Sequence, residues 1–154
     1  MFLLYLQLDG MAGNYEFDPL GFSEYNDVKW MREAELKNGR VAMLAVVGWL
    51  VTAQGIHIVP DDTGLYSVSN PIDAFFHVGP AVMGQIFCFC GALESLAHKG
   101  KMAPDNMFDD GRKPGNFGAF VPALKGKDMA DMELKELKNG RLAMIGTVLS
   151  MNCI

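Results

Sequence analysis

A nine-residue stretch occurs twice in this chain, identical but for Val41 against Leu142. The copies are Glu35-Leu36-Lys37-Asn38-Gly39-Arg40-Val41-Ala42-Met43 and Glu136-Leu137-Lys138-Asn139-Gly140-Arg141-Leu142-Ala143-Met144, at a constant offset of 101 (136 − 35). Each copy sets a carboxylate, an amide and a guanidinium at the mouth of an apolar run. On a helix Glu35 and Asn38 are near neighbours on one face, whereas Glu35 and Arg40 stand about 140° apart, too far round to pair. A charge left bare in hydrocarbon costs several kcal/mol. The two copies therefore predict each other's partners across two crossed helices, Glu35 reaching Arg141 and Glu136 reaching Arg40. On spacing alone such pairs lock the helices together. Asn38 and Asn139 take no part, since each lies about 200° from its Arg and faces lipid or a bound group. An amide carbonyl suits a hard cation such as Mg²⁺. A Mg²⁺ already held by a tetrapyrrole lacks only an axial ligand, which one Asn, Gln, His or charge-neutralised Glu can supply.

Three helices must carry these groups. Residues 9 to 27, rich in Gly, Asp, Asn and Pro, form an extended lead-in. Asn26 or Asp27 can cap a first helix from Val28, spanning about 28–54 with Gly55 as its stop. A turn-rich loop follows, and then a run from Ala74 to Ala97 whose single charge is Glu94. That run is long enough for a hydrocarbon core of roughly 30 Å. After another polar stretch, Asp128 or Asp131 can cap a third helix over 128–154. Its apolar part beyond Arg141 is short, so the carboxyl end is expected to be truncated or incomplete. Gly39, Ala42, Ala45 and Gly48 on the first helix, and Gly140, Ala143, Thr147 and Ser150 on the third, predict close backbone approach. The expected fold is an all-α membrane protein, one domain over 1–154, with three transmembrane helices, the first and third crossed about a pseudo-two-fold axis.

The basic residues support spans over a soluble bundle. All 13 Lys and Arg fall before or at the first repeat, or between 99 and 141, and the loop between the first two runs has none. The positive-inside rule predicts this segregation. A formal charge of −5 gives no reason to expect nucleic acid. Cys88, Cys90 and Cys153 offer neither a disulfide framework nor a zinc motif, and Cys88 and Cys90 are read as small apolar fillers. The apolar start, Met1 to Leu8, is too short to span a membrane and lacks a basic leading region, so it is not read as an intact signal peptide. No nucleophile and base pair, phosphate loop or redox-metal motif is present, so an enzyme is not expected.

The doubled Glu-x-x-Asn-Gly-Arg-x-Ala-Met, preceded by Phe17-Asp18-Pro19-Leu20-Gly21-Phe22, resembles the light-harvesting chlorophyll-binding superfamily. The short connections are similar to its chlorophyll a/c branch, the fucoxanthin or peridinin antennae of red-lineage plastids. The resemblance covers roughly residues 14–154. It implies that Glu35 and Glu136 each bind a chlorophyll Mg²⁺ with one oxygen while pairing with Arg141 and Arg40, and that Asn38 and Asn139 are further ligands. Most relatives carry His at the position of Asn38, which implies weaker binding there. It implies chlorophyll a, chlorophyll c and a carotenoid of fucoxanthin, peridinin or diadinoxanthin type. Two carotenoids would lie in grooves beside the crossed helices, against Ala42, Ala45, Ala143 and Gly146. The second lead-in, Asn116-Phe117-Gly118-Ala119-Phe120-Val121-Pro122, is degenerate.

On the middle run Glu94 resembles the family's Glu ligand. Gln85, nine residues earlier and thus on the opposite face, is open between ligation, direct or through water, and an interhelical hydrogen bond. His77 is open between ligation and solvation at the interface, and His57 and His98 are read as solvated. Trp49 fits an interface anchor or pigment packing. The implied role is a light-harvesting antenna subunit in the plastid thylakoid membrane, amino terminus stromal and carboxyl terminus lumenal. It would lie among thylakoid lipids and neighbouring antenna subunits, and serve a photosystem core, photosystem I ahead of photosystem II. Two alternatives stand beside it. One is a photoprotective relative that dissipates excitation and senses acidity through Asp61, Asp62 and Asp73; the other is a pigment-free structural membrane subunit.

Overall fold

The computed structural model describes residues 11–15, 17–54, 56, 68, 71–101, 103, 106–116 and 127–152. The expectations for Met1 to Leu8, His57, Asp61, Asp62, Cys153 and the second lead-in from Phe117 lie outside them. Among the described residues there are four helices and no strand: α1 (Phe22–Tyr25), α2 (Val28–Ala53), α3 (Pro71–Ala97) and α4 (Lys127–Asn152).

The Phe-Asp-Pro-Leu-Gly-Phe lead-in has a local logic. Asp18 Oδ1 accepts the Phe22 N–H at 3.1 Å and Oδ2 accepts the Ser23 N–H at 2.9 Å, so one carboxylate closes the amino end of α1. Gly21 enters that turn at φ 67°, in the left-handed region that favours glycine. The Ser23 hydroxyl and N–H hold the Asp18 carboxyl below its ordinary value. The cap therefore contributes at neutral pH and is lost only as pH falls below the usual carboxylate range. Asp27 then caps α2, its Oδ1 accepting the Lys29 N–H at 2.8 Å.

The other helix ends depart from expectation. α4 begins at Lys127, so Asp128 and Asp131 lie inside its first turns rather than at its cap. α3 begins at Pro71 rather than Ala74 and is broken at Gly79 (φ 77°, ψ 164°), immediately before Pro80. The residue preceding a proline is disfavoured in the helical region, and proline has no N–H to continue the ladder. His77 thus precedes the break and does not share a continuous helix with Gln85 and Glu94. At its other end α3 closes with the Gly100 N–H on Ser95 O at 3.0 Å, Gly100 standing at φ 77°.

The chain forms two compact units, Met1–Met43 with Lys101–Ile154, and Leu44–Gly100. In the first, α2 and α4 meet where both backbones are bare: a Cβ on Gly39 would stand 3.1 Å from Gly140 Cα, and a Cβ on Gly140 the same distance from Gly39 Cα. Both glycines are buried, as are Val28, Ala42, Met107 and Leu137. The second unit holds the uncharged half of α2 and all of α3. Many of its large apolar side chains face outward, among them Leu44, Val47 and Leu50 at helical spacing and Phe76, Phe87 and Leu96 on α3. Cys88 and Cys90 are exposed too, rather than filling a core.

Among the described residues one helix, Asp73–Ala97, is long and apolar enough to cross a membrane by length and composition. α2 and α4 run 26 residues each, about 39 Å at 1.5 Å per residue, but their first halves carry the repeated charges.

Candidate functional site

The two repeats place their charges reciprocally. Arg40 Nε donates to Glu136 Oε1 at 2.6 Å, and Arg141 Nε donates to Glu35 Oε1 at 2.7 Å. Each guanidinium also reaches a glycine carbonyl in the loop that precedes the opposite helix, Arg40 Nη2 to Gly115 O at 2.9 Å and Arg141 Nη1 to Gly13 O at 3.4 Å. Both glycines have positive φ, 79° and 68°. A Cβ at Gly115 would lie 2.5 Å from Leu36 Cδ1, and one at Gly13 2.5 Å from Leu137 Cδ2. The glycines are needed on both counts, because each loop lays bare backbone on a repeat leucine while turning its carbonyl to an arginine. Arg141 also lies over the Tyr15 ring, 5.8 Å from its centroid.

The two sites are not equivalent. Arg32 Nη1 donates to Glu35 Oε2 at 2.9 Å, so both oxygens of Glu35 have a guanidinium partner. Glu136 is engaged among the described residues through Oε1 alone. Two residues before Glu35, and so on another face of α2, Glu33 is 2% exposed and accepts the Gly115 N–H. Lys37 Nζ and Arg112 Nη2 lie 3.6 and 3.9 Å from Glu33 Oε1. Arg112 organises its own loop by donating from Nε to Met107 O at 3.2 Å.

Asn38 and Asn139 are exposed, and neither amide is hydrogen-bonded among the described residues. Each carbonyl is thus open to an approaching group. No three His, Cys, Asp or Glu gather into a cage for a bare metal ion among the described residues. The donor set suits a metal that arrives already coordinated and needs one oxygen, with Glu136 Oε2 the least encumbered carboxylate oxygen of the repeats.

On α3, Glu94 is half-buried, and His98 Nε2 lies 3.1 Å from its Oε2. His98 is 4% exposed, not solvated: it stands one turn beyond Glu94, and the carboxylate takes up its polar edge. Gln85 is exposed without a hydrogen bond among the described residues, so the interhelical bond is not seen there. His77 is exposed, beyond the break at Gly79. Glu33, Arg32 and His98 are the members of these clusters that carried no signal as site residues. The i,i+4 spacing of Glu94 and His98 could have revealed the last.

The family model described as chlorophyll A-B binding protein matches residues 6–151. The chain belongs to the chlorophyll a/b-binding protein family. It is 38% identical over 139 residues to a fucoxanthin-chlorophyll a-c binding protein of Chattonella marina var. antiqua, covering 84% of this chain and 60% of that one. It is 35% identical over 157 residues to light-harvesting complex stress-related protein 3.2 of Chlamydomonas reinhardtii, covering 90% and 59%. To photosystem I chlorophyll a/b-binding protein 5 of Arabidopsis thaliana it is 32% identical over 161 residues, covering 90% and 61%. The chain thus spans about 60% of the length of these relatives.

Proposed function

We propose that the chain is a light-harvesting antenna subunit of the plastid thylakoid membrane, with three spans in one domain and α2 and α4 crossed about a pseudo-two-fold axis. It binds chlorophylls a and c and carotenoid, and passes excitation to a photosystem core beside other antenna subunits and thylakoid lipids. The observation that carries this reading is the reciprocal pairing: each carboxylate is charge-neutralised through Oε1, on helices that also turn Leu44, Val47, Leu50, Leu142, Ile145 and Val148 outward. So much exposed apolar surface is not sustained in water, and calls for lipid or pigment around it. Charge pairing also explains how α2 and α4 can span, since a paired Glu and Arg cost less in hydrocarbon than either alone. The one-sided distribution of basic residues supports an amino terminus in the stroma and a carboxyl terminus in the lumen. The photosystem I relative favours photosystem I as the recipient.

The pigments supply absorption and excitation transfer. The chain's contribution is spatial: Glu35, Glu136, Asn38, Asn139 and Glu94 would hold chlorophyll through its Mg²⁺, Gln85 and His77 would serve as further ligands, and Arg40 and Arg141 would hold the ligating glutamates. Solvent extraction of the purified protein tests this, and an extract without chlorophyll leaves only the structural-subunit reading. Replacing Asn139 by Leu is expected to lower the chlorophyll count by one per chain; an unchanged count removes the amides as ligands.

The stress-related relatives favour a second reading, dissipation of excitation as heat. Fluorescence lifetime at neutral and acid pH separates the two. A harvester shows little shortening on acidification, and marked shortening supports dissipation.

A further inference from the structure

Glu33 has the lowest exposure of the charged residues described, yet its counterpart at the repeat offset is Leu134 (33 + 101), which offers Gly13 only apolar contact. The carboxylate therefore has a task that the other side of the helix pair does without. It accepts the Gly115 N–H, while the Gly115 carbonyl accepts Arg40 Nη2 at 2.9 Å and Arg40 Nε holds Glu136 Oε1 at 2.6 Å. Gly115 is thus held at both its donor and its acceptor. On the other side the matching arginine-to-carbonyl distance is 3.4 Å.

We propose that Glu33 is a positioning residue for the pigment site at Glu136, acting through Gly115 and Arg40. This rests on the ligation proposed for Glu136. A guanidinium is planar, and two fixed contacts set its plane. With Gly115 anchored, Arg40 has a second fixed point besides Glu136, so the Glu136 carboxylate keeps Oε1 on the arginine and Oε2 toward the pigment. Lys37 and Arg112 balance the buried charge of Glu33, and Arg112 ties the same loop to Met107 O. A leucine at position 33 could pack against the loop, as Leu134 does, but could not hold the Gly115 N–H.

The test compares pigment-loaded Glu33→Leu and Glu33→Gln with Arg40→Leu and Arg141→Leu, through pigment content, absorption difference spectra and amide exchange at Gly115. Glu33→Leu is expected to reduce one chlorophyll about fivefold, the equivalent of losing one hydrogen bond. Its difference spectrum should take the shape of that of Arg40→Leu, and the Gly115 amide should exchange about tenfold faster. Glu33→Gln keeps an acceptor for that N–H and should restore occupancy to within about twofold. Unchanged occupancy in Glu33→Leu, a spectrum matching Arg141→Leu, or failure to fold with any pigment overturns the positioning role. If Arg40→Leu itself removes no pigment, ligation at Glu136 fails and takes this role with it. Pigment loss in Arg40→Leu beside an intact Glu33→Leu sinks the positioning role alone.

Discussion

Replacing Arg40 by Leu is expected to empty the chlorophyll site on the other helix, at Glu136, while the pigment at Glu35 stays. Glu136 Oε1 loses its partner at 2.6 Å, and Gly115 O loses the arginine that turns toward it. Removing one member of a buried ion pair costs about 3–5 kcal/mol, because the other is left unneutralised. A third of the Glu136 side chain is accessible, so the lower end applies. About 3 kcal/mol is still roughly a hundredfold in occupancy. Arg141→Leu should be milder, because Glu35 keeps Arg32 on its second oxygen at 2.9 Å. Pigment counts and difference spectra of the two variants read this directly. Loss confined to the helix that carries the substitution would contradict the crossed arrangement, and equal losses would remove the role given to Arg32.

Closing the glycine contact is expected to be the second large effect. With alanine at both Gly39 and Gly140, the two Cβ atoms would compete for a gap in which one already stands 3.1 Å from the facing Cα. The backbones must move apart, at about 1–3 kcal/mol for overpacking. Both ion pairs lie within a turn of the contact, so they lengthen as the helices separate. The double variant should retain its helical circular dichroism but lose pigment at a lower temperature than wild type. An unaltered thermal profile would show that the close approach is dispensable.

Particular residues show what the sequence makes legible. The reciprocal pairing is forced by helix angles within each repeat, and Asp27 as a cap follows from side-chain chemistry, so both can be read without a structure. The break in α3 is written in the Gly79-Pro80 dipeptide, but an uncharged run reads as one span unless that dipeptide is given its weight. Glu33 could not be read at all. Beside Arg32 it looks like part of a solvated face, and what buries it is a loop 82 residues away in the chain. Arg32 is hidden for a related reason, since an i,i+3 partner for Glu35 matters only once Arg141 has taken the first oxygen. Local periodicity reports which face of a helix is apolar; it says nothing of which distant loop will lie on it.

The central claim is that one carboxylate serves two purposes, neutralised by an arginine from the opposite helix and ligating a chlorophyll with its other oxygen. A pigment-resolved structure of the loaded protein tests it most directly. A chlorophyll Mg²⁺ is expected at about 2.0–2.1 Å from the second oxygen of Glu136, with Arg40 still on Oε1, and another at Glu35, where Arg141 stays on Oε1 and Arg32 shares Oε2 with the metal. A structure in which both glutamates hold their arginines but no Mg²⁺ approaches either carboxylate would contradict it.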